Sequence, residues 1–183
     1  MPSPAASTAS IRRALRRFRR NRRGSAAVEF ALVAPVFFAL LFAIIETAIV
    51  FMAGQVLQSI ATESARSILT GQTQIAGLTQ AQFQNNVVCP LIPALFTCAN
   101  LYIDVETSSS SSFSGLALNN EIVGGVFQSA NMQFNLGGPG DPVVVRLYYE
   151  WPLFVTRLGY NISNLADGNR QLVATAAFRN EPY

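Results

Sequence analysis

The side chains able to do chemistry in this sequence are few, and their spacing gathers them at three places. Gly24 and Ser25 precede Glu29, directly behind a run of arginines. Cys89 and Cys98 enclose the segment PLIPALFT. Asp104 and Glu106 alternate with apolar residues. The chain holds no histidine and no lysine, which excludes Ser-His-Asp and Cys-His catalysis as usually built. Histidine-containing zinc sites go with them, and two cysteines cannot make an all-cysteine site. A glycine-rich phosphate loop with its lysine is also absent. Gly137-Gly138-Pro139-Gly140 reads as a turn, because no helical pattern follows it. Carboxylates alone remain, and they are sparse and sit mostly at strand faces or turns. The expectation is a protein that is not an enzyme and needs no cofactor.

Each place has its own chemistry to weigh. Asp104 and Glu106 share one face of an alternating segment and suggest Ca²⁺. Two carboxylates without further ligands nearby are too few, so a solvated strand face without metal is expected. Cys89 and Cys98 suggest a disulfide if the chain lies outside the cytoplasm. Closing a loop of about ten residues would stabilise the fold by roughly 2.5–3 kcal/mol. A pair of buried free thiols is the other reading, and the spacing is not that of a C-x-x-C redox motif.

Glu29 opens an apolar segment. From Ala26 to Ala53 the only charged residues are Glu29 and Glu46, and Phe30 to Ile45 carries no polar side chain. A bilayer core takes ~20 apolar residues in a helix, so the segment can span, and membrane helices tolerate a proline such as Pro35. A carboxylate within the bilayer costs about 2–3 kcal/mol, less at an interface. Glu29 therefore is either solvated at headgroup level or paired with a positive charge. A cut between Gly24 and Ser25 would create such a charge, the α-amine of Ser25 on the same or a neighbouring subunit.

The stretch RRGSAAVEF resembles a type IV prepilin cleavage site, with a basic leader ending in glycine and glutamate fifth in the mature chain. The continuation VEFALVAPVFFALLFAIIE, with its second acid Glu46, and the C-terminal ATAAFRNEPY are similar to the TadE-like pseudopilins of tight-adherence (Tad) pilus systems. The resemblance implies a minor pilin cut after Gly24 by a prepilin peptidase, with Ser25 as the new N-terminus and Glu29 and Glu46 engaged in subunit assembly. It implies a role in assembling a type IVb-like, Flp pilus used in adhesion and biofilm formation. Its partners would be that peptidase, other minor pilins, the major Flp-type pilin, the inner-membrane assembly platform and membrane lipid.

Charge supports this order of parts. All 13 basic residues are arginine, and eight lie between Arg12 and Arg23. Beside an apolar span, Arg16, Arg17, Arg19, Arg20, Arg22 and Arg23 act as a topology signal that keeps the N-terminus in the cytoplasm. The rest of the chain would then lie outside the cytoplasm. The family resemblance implies a single pass in a bacterial inner membrane, a head in the periplasm and incorporation into the extracellular pilus. Without residues 1–24, five arginines face ten acids, a net charge of −5, which argues against nucleic-acid binding. The apolar run is too long for an ordinary secretory signal, and no A-x-A site follows it before Glu63. An uncleaved signal anchor stays open. It would make the chain a single-pass, signal-anchored periplasmic binding or sensory module, and a carboxylate hydrolase is a third reading.

The elements that must position these residues can be read in outline. Beyond the span, Val56, Leu57, Ile60, Ala61, Ala65 and Ile68 recur on one helical side. Gln55, Gln58, Ser59, Thr62, Glu63 and Arg66 take the other, with Glu63 and Arg66 spaced for a weak pair. Gly71 is the expected stop, and a break at Gly54 stays open. Thr79 caps an expected short helix to Val88. Leu101–Glu106, Val143–Trp151 and Leu172–Phe178 alternate as strands, while Glu121–Phe127 is a weaker strand broken by Gly124-Gly125. Thr107–Gly115 and Leu136–Pro142 read as a loop and a turn. The expected architecture is α+β. A basic leader (1–24) precedes the transmembrane half of a long helix (25–53). A pilin-like head (54–183) includes the helix's amphipathic half, packed on an antiparallel sheet.

Overall fold

The structure, a computed structural model, describes residues 24–108, 112–116, 118, 121–155 and 160–183. The six topology arginines lie outside the described residues. The chain divides after Phe42 into two compact units. Helix α1, Ser25–Leu69, is continuous through both Pro35 and Gly54. Within the first unit its apolar side chains are open, and Phe37, Phe38 and Phe42 stack in succession at 5.5 and 6.4 Å between ring centroids.

In the second unit α1 becomes one wall of a core. Leu57, Ile60, Ala61, Ala65 and Ile68 are buried, as their spacing predicts. Glu63 and Arg66 stay exposed and do not pair with each other. The helix stops where expected. Gly71 has φ +76°, a left-handed turn that favours glycine. The tail Asn180–Tyr183 closes this end: Glu181 N–H donates to the Leu69 carbonyl at 2.9 Å, and the Tyr183 ring packs on Gly71. A single turn, α2 (Gln72–Ile75), follows, and then α3 (Gln80–Phe83). Thr79 caps α3 reciprocally with Gln82. The segment runs on through Gln84–Val88 to the Cys89–Cys98 disulfide, whose Cα atoms are 5.7 Å apart.

Strand β1 (Leu101–Thr107) is followed by a two-residue pair, β2 (Ile122–Val123) and β3 (Val126–Phe127), and then by β4 (Pro142–Trp151) and β5 (Arg170–Arg179). The main sheet is antiparallel in the order β1-β4-β5. One face is apolar by alternation: Leu101, Ile103 and Val105 lie opposite Tyr149, Leu147 and Val145, and Leu172 and Ala174 continue it. This face shares a single core with α1, Phe83, Val88 and Phe96. Gly124 and Gly125, both with positive φ, turn β2 into β3, so the segment expected to be a broken strand is a small hairpin.

Both sheet edges carry partners. Along β1, Val105 exchanges hydrogen bonds with Gln133 and Asn135. Along β5 two side-chain amides take the place of a neighbouring strand. Gln58 brackets the backbone of Thr175 at 2.9 and 3.2 Å, and Asn164 brackets that of Gln171 at 3.3 and 2.7 Å.

Candidate functional site

The sequence-predicted cleavage residues sit at the start of α1. A Cβ added to Gly24 would meet nothing within 4 Å among the described residues, so their packing does not require glycine there. Ser25 is the first residue of α1, and its hydroxyl donates to Glu29 Oε1 at 2.9 Å. Both side chains are exposed. The Glu29 carboxylate thus folds back over the first turn to the position where a helix gathers positive potential. A carboxylate so placed can accept from a cation at the helix start or present itself to another subunit.

Glu46, the second expected assembly residue, is placed differently. It is buried, and its carboxylate accepts the backbone N–H groups of Phe154 and Val155, the latter at 3.1 and 3.2 Å. One residue on, the Thr47 hydroxyl donates to the Ala43 carbonyl at 2.7 Å. Its single proton is thereby used, so Tyr160 is the donor in the 3.0 Å contact between the two hydroxyls. Two adjacent residues of α1 therefore hold the loop that follows β4. The structure engages Glu46 within its own chain, where the resemblance implied another subunit.

The expectation of a solvated face for Asp104 and Glu106 is corrected. Asp104 is 0% and Glu106 6% exposed. The reason is Arg146, which the β1–β4 register sets directly opposite Asp104. Its guanidinium donates to Asp104 Oδ2 from Nε at 2.9 Å and from Nη2 at 2.5 Å, and Nη2 also reaches Glu106 at 2.6 Å and Glu121 at 3.4 Å. Asp104 Oδ1 accepts from Gln133 N–H at 2.7 Å. The hairpin covers the rest of this face: Phe127 stacks on Tyr102 and Tyr148 at 4.9 and 5.6 Å. Arg146 lies 5.7 Å from the Tyr148 ring centroid.

Three carboxylates share one guanidinium here. Burial, and then the Asp104 charge, hold the Glu106 carboxyl above the usual carboxylate range, against the pull of Arg146. Burial likewise raises Glu121. The candidate ligand oxygens of Asp104, Glu106 and Glu121 lie within 4.8 Å of one another, close enough for a metal ion. The Arg146 guanidinium occupies the position that ion would take. Sequence reading missed Arg146 and Glu121. The available signal was a lone charge inside VVVRLYY, which a buried strand can hold only against carboxylates.

Taken together, the described residues define a class: an α+β head on one helix long and apolar enough to cross a membrane. A family model described as TadE-like protein matches residues 24–66. The match begins at Gly24 and takes in Ser25, Glu29, Glu46 and α1 as far as Arg66, in agreement with the resemblance carried by RRGSAAVEF. No curated protein and no solved structure matches the chain.

Proposed function

We propose that this chain is a TadE-like minor pilin, or pseudopilin, that helps assemble a Tad pilus of the type IVb-like, Flp kind. A prepilin peptidase cuts it between Gly24 and Ser25 on the cytoplasmic side of the inner membrane, and the head stands in the periplasm. The observation that carries the reading is the coincidence of three boundaries. The family match starts at Gly24, α1 starts at Ser25, and the arginine run ends at Arg23. Glycine at position 24 answers no packing demand from the described residues, which supports an external reader of that residue. Ser25 and Glu29 are the residues offered to neighbouring subunits. The role is structural: the one dense cluster of acids among the described residues is filled by Arg146 rather than open to a substrate. On this reading adhesion and biofilm formation are properties of the assembled pilus.

The test is the intact mass and N-terminal sequence of the protein from native membranes, with and without the prepilin peptidase. A chain that starts at Ser25 and is lost on deletion of the peptidase is the expected result. An arginine leader retained in both strains would overturn the reading and favour a signal-anchored binding or sensory module.

A further inference from the structure

The loop after β4 carries an apolar side chain where water would be its neighbour. Phe154 is 82% exposed, the largest exposure of any large hydrophobic residue described in the chain. Its position is fixed, because its own N–H and that of Val155 are held by the Glu46 carboxylate. The backbone is therefore held at the level of Glu46 on α1, with the side chain turned outward. Around the same level α1 exposes Ile44, Ile45, Ile49, Phe51 and Met52. Beyond Met52 no large hydrophobic residue of α1 is openly exposed.

The occupant follows from continuity with the span. A hydrocarbon core of ~20 residues counted from Phe30 closes at Ile49, so Glu46 lies just inside the far boundary of the bilayer. A carboxylate there must be internally bonded, and Glu46 is. Tyr160, its hydroxyl bound to Thr47 and its ring partly exposed, is an aromatic of the kind that favours a headgroup boundary. Resting on the reading of α1 as a membrane span, we propose that the loop Pro152–Val155 is a second membrane contact. It places Phe154 in the acyl–headgroup layer of the leaflet from which α1 emerges. The head would then be held to the bilayer at two points and its rotation about α1 restricted.

The experiment uses the full chain in phosphatidylcholine vesicles, with Phe154→Trp, Ile44→Trp and Ile75→Trp made separately. The parent's one tryptophan, Trp151, is buried and serves as a common baseline. Replacing the lipid by phosphatidylcholine brominated on its acyl chains should quench the added emission of Phe154→Trp and Ile44→Trp. Ile75→Trp, exposed in the head, should stay at baseline. Quenching of Ile44→Trp without Phe154→Trp overturns the loop contact and leaves the span standing. Failure of both overturns the span itself. A Phe154→Trp signal that follows protein density rather than bromine would assign the residue to a second copy of the chain and would also overturn the proposal. Phe154 packs little of its own ring, so the substitution leaves the fold intact, and the Trp151 near-ultraviolet signal checks this.

Discussion

Asp104 lies directly across the β1–β4 ladder from Arg146, which donates to one of its oxygens from both Nε and Nη2. The other Asp104 oxygen is held by Gln133 N–H, so the aspartate joins β1, β4 and the segment that closes the β1 edge. Arg146→Met would leave Asp104, Glu106 and Glu121 buried against one another without a cation. The expected loss is roughly 3–5 kcal/mol, the scale for breaking a buried pair from one side. Urea unfolding of the full chain in detergent, followed through Trp151, measures it. A loss below 1 kcal/mol would mean that the cluster is hydrated in solution.

The same cluster sets a pH dependence. Glu106 and Glu121 both titrate above the ordinary carboxylate range in the folded head, chiefly through burial. Folding therefore takes up protons between the ordinary and the raised values. Stability from these groups is present below that window and is lost as pH climbs through it. Glu121 Oε2 has no hydrogen-bond partner among the described residues, so Glu121→Gln removes a charge that they do not fully use. The variant should be more stable than the parent above the ordinary carboxylate range, read as a Tm higher by a few degrees at pH 8, and its Tm should vary less with pH, about 2–4 °C in Tm corresponding to each 1 kcal/mol. An unchanged slope would assign the pH dependence to other groups.

Much of this was legible in the sequence, for a physical reason that also explains what was not. The helical repeat from Leu57 to Ile68 and the alternation in Val143–Trp151 report which side of an element is apolar. Both were read correctly, as were the Thr79 cap and the Gly71 stop. Alternation does not say what lies over the other side. Asp104 and Glu106 give the same pattern whether water or a guanidinium faces them. The cover is a hairpin of two-residue strands with little apolar signal of its own. Tyr102 and Tyr148 on that face were the overlooked hint, since two aromatics in register argue for a lid. The contacts of Glu46 were hidden for a related reason. Its need for donors was readable, but Phe154 and Val155 lie 108 and 109 residues further along the chain.

Gly71 has two constraints that one substitution can separate. Its φ of +76° is costly for any other residue, and an added Cβ would fall within 2.2 Å of the Tyr183 ring. Gly71→Ala should lose about 1–2 kcal/mol from backbone strain alone, and more from displacing the ring. Combining it with Tyr183→Ala isolates the second part, because the clash is absent in that background. A double-mutant cycle with positive coupling is expected. Strict additivity would show that Tyr183 does not pack on the helix end.

Glu46→Ala removes the acceptor of two backbone N–H groups and should free the loop that carries Phe154. Leaving buried donors unpaired costs roughly 1–3 kcal/mol each, though water reaching the loop would lower that. Hydrogen exchange at the Phe154 and Val155 amides should accelerate sharply in the variant. Glu46→Gln keeps an acceptor oxygen and should retain partial protection. Unchanged exchange in Glu46→Ala would mean the clamp does not persist in solution.

Glu29 allows the cleanest separation of folding from assembly. It is exposed, and its described hydrogen bond is to the exposed Ser25 hydroxyl one turn away. Surface changes without a buried partner usually stay within about 0.5 kcal/mol, so Glu29→Ala should leave the Tm of the purified chain unchanged. The proposed role lies instead in pairing with an α-amine created at Ser25, on its own or a neighbouring subunit. Such a pair in a dry interface loses its partner when one side is removed. Glu29→Ala should therefore be cut after Gly24 like the parent, keep its Tm, and fail to support pili. Gly24→Arg should fail at the earlier step, retaining the leader with the same Tm, because no described residue packs on the glycine. If Glu29→Ala is processed and pili form normally, Glu29 has no part in assembly, and the solvated headgroup position describes it fully.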